Sequence, residues 1–349
     1  MNITIVGATG NVGRKIIEVL ENKNFPVDNL CLVASSKSAG SKLKFKGKEI
    51  LVEDLETFDF SKSKITFFSA GGKISEKYVP LAAKHSTVID NSSYFRMDPD
   101  VPLIVPQVNS NDLKNIKKNI IANPNCSTAQ LVIVLKPLHD LFKIKRVVIS
   151  TYQSTSGAGK APMDELKNQT HRVLELKALQ DAIPIKIKGF EPNPHLATSK
   201  NFTKQIAFNA IPHIDSFVDD GYTKEEVKMV NETKKILDNK IELTATCVRI
   251  PVFVSHAESL NIEFEKPFTL EKVVEALDGA DGCKVIDDRK DGGYITPLEA
   301  ENDYMTYISR IRKDNTNAKA INIWVVSDNL LKGAALNTIQ IAECLMKKI

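Results

Sequence analysis

The chain has 349 residues, of which 42% are apolar and 26% charged. That make-up suits a globular protein of about two domains and excludes a disordered chain, a collagen-like repeat and a small disulfide scaffold. Lys and Arg outnumber Asp and Glu by 47 to 43, too mild an excess for a dedicated nucleic-acid binder.

Met1 leads directly into a β-rich run, Ile3–Val6, with no basic segment and apolar core of a signal peptide before it. Nothing approaches the roughly 18 apolar residues of a membrane helix, so a cytoplasmic protein is expected. The spacing of Val12, Ile16, Ile17, Val19 and Leu20 predicts an amphipathic helix, and Leu30–Ala34 reads as a second strand. Short apolar runs follow at Ile65–Phe68, Thr87–Ile89 and Ile120–Ala122, with a helix over Ser75–Lys84 between two of them. Alternating strands and helices predict a mostly parallel, Rossmann-like sheet.

Beyond Cys126 the rhythm changes. A helix over Ser127–Asp140 leads to a strand, Lys145–Tyr152, and then to a polar helical stretch from Ala161 to about Gln180. A proline-rich region (Pro184, Pro192, Pro194, Pro212) precedes a helix over Thr223–Leu237. Strands are expected at Leu243–Val254, Glu258–Phe264, Glu301–Arg312 and Ala320–Ser327, and a last helix at Leu331–Lys348. The expected fold class is α/β, with a Rossmann-like dinucleotide-binding domain and an α+β catalytic and dimerisation domain built on a mixed sheet. The expected division is 1–125 with 329–349, the last helix packing back, against 126–328.

Gly7-Ala-Thr-Gly10-Asn-Val-Gly13 follows the first strand and opens the first helix. Glycines permit a tight turn and close backbone approach, and the helix N-terminus offers free N–H groups to a pyrophosphate. Gly7, Thr9, Gly10, Asn11 and Val12 are therefore candidate cofactor contacts. The spacing is GxxGxxG, not GxGxxG, so position and flanking elements carry the inference. A plain strand-to-helix turn is the bland alternative. The second strand ends in Ser35-Ser-Lys37-Ser38, with hydroxyls and a cation and no carboxylate. That set suits a 2′-phosphate, so NADP is the expected cofactor.

The five cysteines are scattered, with no zinc-like spacing, which fits reduced thiols. Cys31, Cys247, Cys283 and Cys344 read as structural. Cys126 stands in Asn-Pro-Asn-Cys-Ser-Thr directly before an apolar helix. A thiol at a helix N-terminus is expected to have a lowered pKa, as a nucleophile requires.

With these segments in one order, the chain resembles the bacterial aspartate-β-semialdehyde dehydrogenases along nearly its whole length. They are GATGNVG at 7–13, SSYFRM at 92–97, NPNCST at 123–128 and TYQSTSGAG at 151–159. ETKK at 232–235, RIPV at 249–252, SHAES at 255–259 and SDNLLKGAA at 327–335 follow. The resemblance implies reduction of L-aspartyl-4-phosphate by NADPH to L-aspartate-4-semialdehyde and phosphate, on the route to lysine, threonine, methionine and diaminopimelate. It implies Cys126 as the nucleophile forming an acyl-thioester and His256 as the acid/base. Arg96 and Lys235 would grip phosphate, while Arg249 and Glu232 would hold the α-carboxylate and α-ammonium. Gln153 and Asn125 would orient the acyl group, and Ser156, Gly157 and Asn329 would lie near the nicotinamide. No metal is implied, and a homodimer or homotetramer is. His85, His139, His171, His195 and His213 are read as structural. One alternative is an N-acetyl-glutamyl-phosphate reductase, whose family tends to carry PGCYP around its cysteine. Glyceraldehyde-3-phosphate dehydrogenase shares the Cys/His logic in a different local sequence. A non-catalytic NADPH sensor would need the glycine turn but not Cys126, His256, Arg96 and Lys235 together.

Overall fold

The computed structural model describes residues 1–175 and 199–347. Pro184, Pro192, Pro194, His195, the predicted helical residues after 175 and Lys348 lie outside the described residues. Two sheets organise the rest. In the first, β1 (Asn2–Val6) lies between β2 (Asn29–Ala34) and β5 (Ile65–Phe68). β6 (Thr87–Asp90) and β7 (Ile120–Ala122) extend it beyond β5, all in parallel. These are the short, almost wholly apolar runs read from the sequence, and helices cover both faces. The edge beyond β2 holds a hairpin, β3 (Lys42–Phe45) and β4 (Lys48–Asp54). The hairpin was absent from the sequence reading. Lys46 and Gly47 turn it with φ of 48° and 76°, a pattern of two-residue hairpin loops. Leu43 and Phe45 point inward while Lys42 and Lys44 stay exposed.

The second sheet has six strands in the order β11-β12-β13-β10-β8-β9. β8 (Ile144–Gln153) runs parallel to β9 (Glu242–Arg249) and antiparallel to β10 (His256–Phe264). β13 (Ala320–Ser327) flanks β10 on its other side, followed by β12 (Thr306–Lys313) and the short β11 (Cys283–Val285). The predicted strand over Leu243–Val254 stops at Arg249, because the chain turns at Pro251 to bond Thr155 and Ser156. The predicted strand over Glu301–Arg312 begins only at Thr306, after a turn with Asn302 at φ 65°.

Eight helices complete the described fold: α1 (Asn11–Asn22), α2 (Gly72–Ala82), α3 (Pro106–Asn109), α4 (Cys126–Phe142), α5 (Lys160–Glu175), α6 (Lys224–Ile236), α7 (Leu270–Asp278) and α8 (Leu336–Met346). α4 is apolar nearly all round, as a helix buried between two layers must be. Ala129 and Val132 join the first sheet's core, while Leu131, Leu135 and Leu138 join the second's. After β13, Asp328 caps a π-helical turn (Leu331–Ala335) through the Leu330 and Leu331 N–H groups. The turn runs into α8, which packs on α1 and the first sheet through Leu336 and Ile339. No described helix is long and apolar enough to cross a membrane.

Candidate active site

Strand directions gather the candidate residues. Gln153 and Arg249 are register partners at the ends of parallel β8 and β9. Antiparallel β10 begins beside them with His256. The first residue of α4 is Cys126, and the ends of β8, β9 and α4 meet at a cleft of about 450 Å³, with His256 of β10 just behind its wall at Gly157.

Asn125 is the N-cap of α4: its Oδ1 accepts the Ser127 and Thr128 N–H groups at 2.9 and 3.3 Å. Its own N–H is held by Glu232 Oε2 at 2.6 Å. The π-helical turn closes over the sulfur-bearing residue from the other side. A Cβ on Gly333 would stand 2.5 Å from Cys126 Cβ, so this turn tolerates only glycine there. Cys126 is half-buried and lines the cleft. Burial, with the Glu225 carboxylate second, pushes its thiol up to about 12, against the pull of Arg249, Arg96 and the Ser127 N–H. The lowered pKa expected from the helix terminus is thus overturned: desolvation outweighs the dipole. The sign is testable. Free enzyme treated with iodoacetamide should be alkylated at Cys126 at a rate rising about tenfold per pH unit from 7 to 10 without a plateau. A plateau below pH 8 would mean a stabilised thiolate.

His256 is fully buried. Its Nδ1 accepts the Ser154 N–H at 3.1 Å, so the neutral ring carries its proton on Nε2. Nε2 has no partner among the described residues and faces Gly157, where a Cβ would come within 3.1 Å of it. Burial and then the Arg249 charge push the imidazole down to about 3, so it is neutral at physiological pH. Ser154, to which the sequence reading attached no function, fixes this tautomer; nothing in its local sequence signals it.

The charged residues divide differently from the expectation. Arg96 lines the cleft with its guanidinium tied down by Asn123 O, Glu232 Oε1 and Asn91 O at 2.9, 3.0 and 2.9 Å. Glu232 is consumed by Arg96 and the Asn125 N–H, is fully buried and does not line the cleft. The Lys235 ammonium donates to the carbonyls of Arg96, Asp98 and Val101 at 2.7, 2.8 and 2.9 Å. With all three N–H bonds used, it has none left for a phosphate. The expected roles of Glu232 and Lys235 in gripping substrate are therefore corrected: both brace Arg96. One heptad earlier on α6, Glu225 and Lys228 line the cleft instead. Glu225 Oε1 receives Asn125 Nδ2 at 2.8 Å and Gln153 Nε2 at 3.2 Å. Lys228 bonds Asp215 and Glu225 at 2.7 and 3.3 Å; burial opposes its charge, but these carboxylates leave its pKa raised. Arg249 donates to Ser154 O at 2.6 Å.

The glycine turn fits a dinucleotide. Gly7 has φ 83° and a Cβ there would meet Ser69 O at 2.7 Å, while one on Gly13 would meet Gly7 O at 2.2 Å. α1 starts at Asn11 with Gly10 as N-cap and no side chain on its free N–H groups, leaving them to an anion. Val12, Ser156, Gly157 and Asn329 line the same cleft as Cys126. Asn329 Nδ2 donates to Ser156 Oγ at 3.0 Å, and Asn329 Oδ1 accepts the Ser255 N–H at 2.9 Å. Ser35 and Lys37 lie exposed on the turn after β2, with Ser38 half-buried and its N–H bonded to Ser35 O.

Residues 2–116 match the semialdehyde dehydrogenase NAD binding domain, and residues 135–332 the semialdehyde dehydrogenase dimerisation domain. Aspartate-semialdehyde dehydrogenase of Aquifex aeolicus is 50% identical, covering 99% of this chain and 98% of the relative. That of Campylobacter jejuni is 47% identical over 98% of this chain and 96% of its own. The chain belongs to the aspartate-semialdehyde dehydrogenase family. The crystal structure of aspartate semialdehyde dehydrogenase II from Vibrio cholerae, complexed with ASA, superposes with a TM-score of 0.91 at 44% identity, over 99% of this chain and 98% of that one. The Candida albicans aspartate semialdehyde dehydrogenase with NADP gives 0.70 at 25% identity, over 100% and 99%. The chain is thus an oxidoreductase of amino-acid biosynthesis with a Rossmann nucleotide-binding domain. The cleft offers charged groups of both signs beside its one cysteine.

Proposed function

We propose that the protein catalyses the NADP-dependent reductive dephosphorylation of L-aspartyl-4-phosphate to L-aspartate-4-semialdehyde, supplying lysine, threonine and methionine synthesis. The observation that supports it best is the single cleft lined by Cys126, Arg96, Lys228, Arg249 and Glu225. Arg96 and Lys228 would take the phosphate, and Arg249 and Glu225 the α-carboxylate and α-ammonium. Gln153 and Asn125, already bonded to Glu225, would keep that carboxylate aimed at the ammonium.

The Cys126 sulfur attacks the acyl carbon, the bond between that carbon and the bridging oxygen breaks, and the thiol proton leaves with the phosphate as hydrogen phosphate. A thioester carbonyl is less resonance-stabilised than a carboxylate and accepts hydride more readily. NADPH held by Gly7, Thr9, Gly10, Asn11 and Val12, with Ser35, Lys37 and Ser38 at its 2′-phosphate and Ser156, Gly157 and Asn329 near its ring, supplies that hydride. His256, the acid/base group, directs Nε2–H at the oxygen as negative charge builds on it. Collapse of the hemithioacetal oxyanion breaks the C–S bond, releases the aldehyde and returns the sulfur as a thiolate, which takes up one proton from water to restore the thiol. The proposed division is a nucleotide unit of 1–125 with 329–349 and a catalytic unit of 126–328. A cytoplasmic homodimer, or a tetramer built from it, is proposed as the working form.

The test is NADPH formation from aspartate semialdehyde, phosphate and NADP⁺. Activity dependent on phosphate is expected, with kcat/KM for NADP⁺ at least about tenfold above that for NAD⁺, the scale of one charged contact to the 2′-phosphate. Equal use of NAD⁺ would remove the role of Lys37. Activity with N-acetylglutamate semialdehyde in its place would overturn the substrate.

A further inference from the structure

Glu258 is a carboxyl that this mechanism does not use. It is the third residue of β10, paired with Thr151 on β8 and Val325 on β13, fully buried, with no donor in hydrogen-bonding geometry to either oxygen among the described residues. A lone carboxylate there would be far costlier than the neutral acid. Burial accordingly pushes its pKa well above the ordinary range, opposed only by the Gln130 side chain within hydrogen-bonding reach of it. His256 lies two residues away on the same face of the strand. Gln130 stands one turn after Cys126 on the same face of α4. It is buried, its Nε2 donates to the His256 carbonyl at 3.4 Å, and its Oε1 has no donor. A carbonyl only accepts, so the amide nitrogen belongs on that side. The orphaned amide oxygen and the orphaned acid complement each other.

We propose that Glu258 is a positioning residue: its protonated carboxyl donates to Gln130 Oε1 while Gln130 Nε2 donates to the His256 carbonyl, clamping the helix that carries Cys126 to the strand that carries His256. An ionised Glu258, with acceptors only, has no proton for this bond. The inference rests on the roles proposed above for Cys126 and His256, but its first test does not involve turnover.

The infrared difference spectrum between the native protein and Glu258→Gln, at neutral pH, should contain the C=O stretch of a protonated carboxylic acid, shifting down in D₂O. Subtraction removes any contribution from other buried acids such as Asp90. Gln130→Leu should move the band to higher frequency as its hydrogen bond is lost. Absence of the band, or no movement in Gln130→Leu, overturns the proposal. In the dehydrogenase assay, Glu258→Gln keeps a neutral N–H donor and should hold kcat within about threefold. Glu258→Leu should lower kcat about tenfold or more with KM nearly unchanged, since the pair is misplaced and the substrate contacts are not. Equal losses in both variants would also overturn it. Should Glu258→Leu fail to fold, Gln130→Leu carries the kinetic comparison. A native protein silent in the assay would sink the proposed function instead, leaving the infrared result to decide the hydrogen bond.

Discussion

Replacing Cys126 with alanine should lower turnover by at least about 10⁴-fold while NADPH affinity stays within about twofold, because loss of a covalent nucleophile leaves no other path to the thioester. The four remaining cysteines offer no substitute, since none of them lines the cleft. The fold should persist. The N-cap bonds come from Asn125, and Gly333 packs against a Cβ that alanine retains. NADPH titration by fluorescence quenching and a thermal melt separate loss of chemistry from loss of structure. Retained turnover in a folded variant would remove the thioester. The same variant should yield no acylated peptide when quenched during reaction, where the native protein should yield one spanning this position.

Much of the architecture was legible because it rests on local patterns. The short apolar runs at Ile3–Val6 and Ile65–Phe68 are parallel strands, and the glycine turn stands where strand and helix meet. The β3–β4 hairpin was missed because its exposed lysines masked the alternation of Leu43 and Phe45. The sulfur's environment was misjudged for a different reason. Position in sequence reveals a helix terminus, but burial is set by the π-helical turn, which arrives from more than two hundred residues away. Glu258 lies in the SHAES segment at 255–259, where local sequence gives it no role, since only the sheet register and the facing helix reveal that it lacks partners.

The two Glu-x-x-Lys pairs on α6 are the hardest case, and they give the last prediction. Glu225, Lys228, Glu232 and Lys235 fall on one helix face, and the second pair lies two turns, about 10 Å, beyond the first. Local sequence makes the pairs equivalent; their surroundings do not. Lys228→Met should raise KM for aspartyl phosphate, or for phosphate in the reverse assay, by about 30- to 150-fold with a smaller change in kcat. That is the scale of one charge-assisted contact to an anion, about 2–3 kcal/mol. Lys235→Met should instead strip three carbonyls of their donor. Its mark is lowered thermal stability, with any kinetic effect following from a loosened Arg96. Neither ammonium is freely exposed, so solvent screening does not equalise them: Lys228 keeps two carboxylate partners beside the cleft, and Lys235 is saturated away from it. If Lys235→Met raised KM strongly in a fully stable protein while Lys228→Met left it unchanged, the assignment would revert to the later pair, and α6 would have to turn its other end toward substrate.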